Sequence, residues 1–246
     1  MTPLAAKLFR TADEDTQRRL ASAQFFECTS LTPLALEMLK ADDAESGFSS
    51  NAQLPAPKTL IEILLKGKRI AFFCQQHEEG HVSVHAMAEQ NDGHIHISWR
   101  ATFTPGSGQI SIDDLGTASP DREAAATIGL IFVEKFLCII NQPGLVERRT
   151  KDTDKRVMRE AKAHAIEQPR PQWHECYIRP GVHGSGNDSG ESHREHKLHY
   201  VRKHRKPSLG PDRWIDGYWR GNADLGIYHK YYVAQTSDLP APTRTF

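Results

Sequence analysis

Between Arg69 and Ile112 the apolar residues recur at close to every second position, and this period narrows the possible folds more than any other feature of the chain. Arg69-Ile-Ala-Phe-Phe-Cys, His81-Val-Ser-Val-His-Ala-Met-Ala, His94-Ile-His-Ile-Ser-Trp-Arg-Ala-Thr-Phe and Gln109-Ile-Ser-Ile each read as a strand. Val82, Val84 and Met87, then Ile95, Ile97 and Trp99, alternate with polar neighbours. The connectors carry Glu-Glu-Gly, Asn-Asp-Gly and Pro-Gly-Ser-Gly, and Asn91-Asp92-Gly93 is a strong hairpin signal. The pattern predicts an antiparallel meander with one wet face.

Helical signals flank it. The first forty residues have helical composition: one segment from Pro3, a second from Thr16 to Phe26, and a third from Thr32-Pro33 to about Leu39, with proline at its first turn. Pro120 opens a long helix that Gln142-Pro143-Gly144 ends near Asn141, with acidic residues at its start where the helix dipole favours them. Its apolar positions cover nearly every face, which predicts a central buried helix. A basic helix is expected from about Lys151 to Ala165, and Trp173-His-Glu-Cys-Tyr-Ile-Arg reads as a strand. The fold class is α+β: N-terminal helices, an antiparallel sheet, a central apolar helix and a C-terminal basic β-ribbon. The Gly/Ser-rich run at 181–192 predicts a flexible linker between a globular domain at 1–180 and a ribbon at 193–246. Within that ribbon, a hairpin between His196–Arg205 and Ile227–Val233 is the expected pairing.

The chain of 246 residues can bury a core without staples. No apolar run approaches the ~20 residues of a membrane span, and no secretory signal opens the chain, so the expected compartment is the cytoplasm. Four cysteines at 28, 74, 138 and 176 form no C-x-x-C pair and read as free thiols. Charge is balanced in total but not along the chain. Residues 1–143 carry 12 Lys and Arg against 18 Asp and Glu, whereas 144–246 carry 19 against 13. This asymmetry suggests a polyanion or an acidic protein surface as partner of the second half.

His77-Glu78-Glu79-Gly80-His81 matches the zinc-protease signature, which needs both imidazoles one turn apart on a helix. Here it joins two strand-like runs, with glycine where a turn wants it, and it reads as a hairpin turn. His81, His85, His94 and His96 offer a second metal possibility, but they equally fit the wet face of a sheet. Asp113, Asp114, Glu123 and Glu134 follow no defensible nuclease spacing. There is no phosphate-binding loop, dinucleotide fingerprint or nucleophile elbow. No catalytic residue, metal ligand or cofactor is assigned, and the chain reads as a binding protein more than an enzyme.

The tail carries the clearest functional signal. It reads His193-Arg-Glu-His-Lys-Leu-His-Tyr-Val-Arg-Lys-His-Arg-Lys-Pro, then Asp212-Arg-Trp-Ile-Asp-Gly-Tyr-Trp-Arg-Gly, then Tyr228-His-Lys-Tyr-Tyr-Val. From 193 to 230 there are nine Lys and Arg, four Asp and Glu, and five His. Cations neutralise phosphates, and interleaved rings offer stacking faces to unpaired bases. The candidate nucleic-acid-binding residues are Arg202, Lys203, Arg205, Lys206, Arg213, Trp214, Tyr218, Trp219 and Arg220. The competing reading is a ribbon whose aromatic residues pack back on the domain.

His199-Tyr-Val-Arg-Lys-His, Trp214-Ile-Asp-Gly-Tyr-Trp-Arg-Gly and Tyr231-Tyr-Val233 resemble the C-terminal end of a type V-A anti-CRISPR family from phages and plasmids. The apolar helix ending near Asn141 is similar to one that precedes the ribbon in that family, and the resemblance covers about a quarter of the chain. It implies an inhibitor of host defence, acting in the host cytoplasm. Its best-known member lowers production of the RNA-guided nuclease by recognising the nascent polypeptide and promoting loss of its mRNA. The implied partners are a host defence protein, as a nascent chain, and RNA or the ribosome. The alternative from another class is a metal-dependent or histidine-based nuclease using His199 and His204 as acid and base.

Overall fold

The computed structural model describes residues 1–41, 48–90, 93–107, 109–113, 120–142, 144–164, 172–179, 196–202, 204–206, 208 and 213–227. The expected linker at 181–192, the segment at 228–246 and Lys203 lie outside these residues. The architecture is α+β. It opens with α1 (Pro3–Thr11), α2 (Glu14–Ala21), β1 (Gln24–Glu27) and α3 (Thr32–Ala41). The meander follows: β2 (Lys58–Leu65), β3 (Lys68–Gln76), β4 (Val82–Glu89), β5 (Ile95–Phe103) and β6 (Ile110–Asp113). Next come α4 (Pro120–Asn141), β7 (Val146–Asp152), α5 (Lys155–His164) and β8 (Gln172–Ile178). The ribbon is β9 (Lys197–Val201), β10 (His204–Arg205), β11 (Trp214–Ile215), β12 (Tyr218–Arg220) and β13 (Asn222–Ile227).

Eight strands form one mixed sheet in the order β6-β5-β4-β3-β2-β1-β8-β7. The expected meander, β3 to β6, is antiparallel as its turn chemistry predicts, and β2, a strand the sequence reading did not include, joins it antiparallel to β3. β1 runs parallel to both β2 and β8. Its link to β2 passes through α3, the crossover that parallel neighbours require. The helical reading through Phe26 gives way at Gln24, and the reason is visible in burial. Phe25 and Phe26 are both fully buried, in two different hydrophobic clusters. Only an extended backbone sends successive side chains to opposite faces.

The same alternation gives the sheet two covered faces instead of the expected single one. Phe26, Ile61, Phe72, Val84 and Ala101 pack with Leu34 and Met38 of α3 and with Val133 and Phe136 of α4. Phe25, Leu60, Phe73 and Met87 pack with Leu4 and Phe9 of α1, Leu20 of α2 and Val157 of α5. Each buried side chain of this size contributes roughly 1.5–3 kcal/mol relative to exposure. Capping supports the short helices: Asp13 accepts from Thr16 N at 2.8 Å, and Asp154 accepts from Arg156 N at 2.8 Å. The long helix α4 is buried in its C-terminal half, whereas Ala124, Ala125 and Ile128 near its start are exposed.

Buried charge ties the layers together. Glu62, fully buried on β2, accepts from Leu4 N at 2.9 Å and from Arg69 Nη1 at 2.7 Å. Glu134 of α4 meets Lys135 Nζ at 2.7 Å and accepts from Ser49 N at 3.0 Å. Asn141 donates to the carbonyls of Asn51 and Gln53 at 3.0 and 2.7 Å. The segment at 48–57 is thereby held on α4, and Ser50 Oγ donates to Asp216 of the ribbon at 3.4 Å.

The core crosses the expected domain boundary. Leu198, Tyr200 and Trp219 belong to the same hydrophobic cluster as Phe26, Met38 and Phe136. The ribbon therefore completes the main core, a role that a free-standing appendage does not have.

Candidate nucleic-acid interface

The ribbon is built from two small sheets. β9 lies between β12, antiparallel, and β13, parallel. β10 and β11 form a short antiparallel ladder in which His204 faces Ile215 and Arg205 faces Trp214. Residues 228–233 of the expected hairpin partner lie outside the described residues; among those described, β9 pairs with β12 and β13, β10 pairs with β11, and Ile227 pairs in parallel with Leu198. The backbone bond from Lys206 N to Arg213 O at 3.0 Å extends the outer ladder.

Alternation assigns the side chains of the inner sheet. Leu198 and Tyr200 of β9 point inward, and Trp219 sits opposite Tyr200. The two rings lie 5.5 Å apart at an interplanar angle of 52°. Trp219 is 1% exposed, and its Nε1 is buried without a hydrogen-bond partner among the described residues. Its ring faces are occupied by the core, so its place among the stacking candidates is corrected to a packing role. The turn into β13 needs Gly221, whose φ of +109° suits glycine and where a Cβ would lie 2.3 Å from the Lys197 carbonyl oxygen.

Six of the other candidates are exposed. Trp214 is 59% exposed, and register sets it directly across from Arg205 on one face of the ladder. Arg202, Arg205, Lys206, Arg213 and Arg220 are exposed, and Tyr218 is half-buried opposite Val201. Lys197, which the motif reading did not single out, is exposed beside them at the start of β9, and it belongs to the same surface. Its signal was the alternation Lys197-Leu-His-Tyr, whose outward position is cationic. Two arginines of β7 lie against rings. The Arg148 guanidinium lies 5.4 Å from the Phe26 ring centroid, and that of Arg149 lies 4.6 Å from Tyr177. Arg149 also donates to Glu147 at 2.8 Å.

The histidines divide the same way. Nδ1 of His199 meets the Lys197 carbonyl at 3.0 Å, and Nδ1 of His204 meets the Arg202 carbonyl at 3.1 Å. A carbonyl only accepts, so Nδ1 is the donor in each contact. Among the described residues neither ring meets a carboxylate that would orient it for acid–base work. His77 to His81 forms the β3–β4 turn: His77 N donates to His81 O at 3.0 Å, and Gly80 has φ of +82°. The two imidazoles stack at 4.5 Å, and His77 Nε2 meets Ser83 Oγ at 2.9 Å. His85 pairs with Arg100 and His96 with Ala88, which sets these two histidines on opposite faces of the sheet. Glu134, offered by the sequence as an acidic ligand, is consumed by Lys135 and Ser49. Among the described residues no group of three or more His, Cys, Asp or Glu could hold a metal ion, and no helix is long and apolar enough to cross a membrane.

The arrangement offers cations and one open indole on the outer ladder, with a second indole anchoring the inner sheet. No protein-family model matches the chain, and neither does any curated protein or solved structure.

Proposed function

We propose that this chain is a binding protein whose outer ribbon face takes single-stranded RNA, and that it acts as an inhibitor of host defence. The observation that carries the RNA reading is the Arg205–Trp214 pair. An indole exposed to solvent across the ladder from a guanidinium, with Arg202, Lys206, Arg213 and Arg220 exposed on the ribbon, joins phosphate neutralisation to base stacking. Trp214 contributes little to the core at 59% exposure, so packing does not account for its presence. The inhibitor role rests on the resemblance of the same segment to the type V-A anti-CRISPR family. On that reading the ribbon holds the message or the ribosome while another surface recognises the emerging defence protein.

The test is fluorescence anisotropy with a labelled single-stranded RNA across a salt series. Affinity falls steeply with salt if phosphates dominate, and Trp214→Ala weakens binding by about 1–3 kcal/mol if a base stacks there. Absence of binding at about 50 mM salt, where phosphate contacts are strongest, removes the RNA half of the proposal. Co-expression with a type V-A nuclease tests the other half, with a fall in both nuclease protein and its mRNA as the expected result. Loss of neither leaves the chain an RNA binder of different purpose.

A further inference from the structure

Away from the ribbon, the sheet carries a cavity that the proposed function does not use. β4 and β5 pair regularly until a register shift, where Ala86 faces Trp99, Met87 faces Ile97, and Ser98 is left as the extra residue. Such a bulge bends the strand and re-aims its side chains. Beside it lies a space of about 540 Å³ lined by Gln90, His96, Ile97, Ser98, Trp99 and Ala125. It lies between β5 and the exposed first turns of α4, and its volume is within the range of small-molecule sites.

Trp99 is held there by a specific device. The Cβ that any other residue would add at Gly129 falls 2.3 Å from Trp99 Cζ2, so the indole rests on the backbone of α4. Glycine inside a helix costs about 1 kcal/mol relative to alanine, and here it is what admits the ring. Phe72 supports the indole from within, at 6.1 Å between centroids. The remaining, half-buried part of the ring helps line the cavity. Ile97 at 43% and Ile128 at 57% exposure leave apolar surface at and beside the rim.

The lining decides the chemistry of a ligand. It includes an aromatic face and the methyl group of Ala125. It also includes an amide, a hydroxyl and an imidazole, which both donate and accept hydrogen bonds. Among the described residues no Lys, Arg, Asp or Glu lines it, which favours a ligand without net charge. We infer that this cavity binds a neutral planar heteroaromatic ring of nucleobase size, with Trp99 as its stacking surface and Gln90, Ser98 and His96 reading the ring edge. The ring can come from a free nucleoside or from a base within a strand. This inference stands apart from the ribbon reading, because no residue is shared between them.

The experiment follows the four tryptophan indole N–H resonances by NMR during titration, with Trp99 assigned through Trp99→Phe. Adenosine, ribose and a short oligoadenylate are the probes. Adenosine is expected to shift the Trp99 resonance in a saturable manner, and ribose is not. Ala125→Trp, a change at an exposed helix position that fills the cavity mouth, is expected to weaken adenosine at least tenfold and leave the fold intact. Gly129→Ala displaces the indole and gives the same loss. Trp214→Ala leaves the adenosine-induced shift of Trp99 unchanged and reports the ribbon separately. If only the oligoadenylate shifts Trp99, and Ala125→Trp removes that shift, the ring is taken from a strand. If Trp99 responds to neither base-containing probe, or responds equally to ribose, or binds adenosine as well in Ala125→Trp, the inference is overturned.

Discussion

Trp214 and Trp219 stand five positions apart in one ribbon, and the structure gives them opposite work. Trp219 lies on the inner sheet against Tyr200, sealed in the main core. Trp214 lies on the outer ladder across from Arg205, open to solvent. Composition treats them alike, since both sit in the basic-aromatic stretch that the sequence reading takes as a polyanion candidate. Strand alternation separates them, because a period of two sends neighbours to opposite faces and pairing fixes which face is wet. One half of the ribbon therefore anchors, and the other half presents.

The sharpest way to break this comparison is to remove the ribbon. Truncation after residue 179 takes away Leu198, Tyr200 and Trp219 and leaves their core partners exposed. The fragment is expected to be insoluble or to lack a cooperative thermal transition. A soluble fragment with an unchanged Tm would show that the inner half is not part of the core. Next in size, Trp219→Ala leaves a cavity and is expected to cost about 3–5 kcal/mol in denaturant unfolding. Trp214→Ala is expected to change stability by no more than about 0.5 kcal/mol, as exposed substitutions do, while losing RNA affinity. If the two alanine variants melt alike, the inner and outer assignments fail together.

Much of this was legible in the sequence. The meander from Arg69 to Ile112, the helix from Pro120 to Asn141 and the turn at His77–His81 all follow from period, capping residues and glycine placement. β1 was not, because a four-residue strand leaves too short a window for its period to declare itself beside a helical neighbour. Its neighbour in the sheet, β8, comes from more than 140 residues later in the chain. That distant pairing also makes neighbours of Cys28 and Cys176, which spacing alone keeps apart, and burial pushes the Cys28 thiol well up. The candidate site was legible as a list of residues but not as a surface. Arg202, Arg205, Lys206, Arg213, Trp214 and Arg220 keep their exposed places, whereas the inward turn of Trp219 depends on its register with Tyr200. The cavity beside Trp99 depends on a one-residue register shift that no local motif announces.

The smallest effect offers the finest test of the outer face. Arg220 follows Trp219 directly and points the other way, opposite His199. It is exposed, and its loss should leave the core untouched. If it meets one phosphate of a single strand, Arg220→Ala lowers the slope of log affinity against log salt by about 0.7, the counterion share of one contact. The loss of affinity should then be nearly uniform across RNA sequences, since phosphate contacts carry no base information. Trp214→Ala should do the reverse, lowering affinity at every salt concentration with the slope unchanged, because stacking releases no counterions. A parallel series at both positions therefore separates charge from stacking on one surface. An unchanged slope in Arg220→Ala, with affinity intact, would confine the RNA path to the β10–β11 ladder and leave the outer face of β12 outside it.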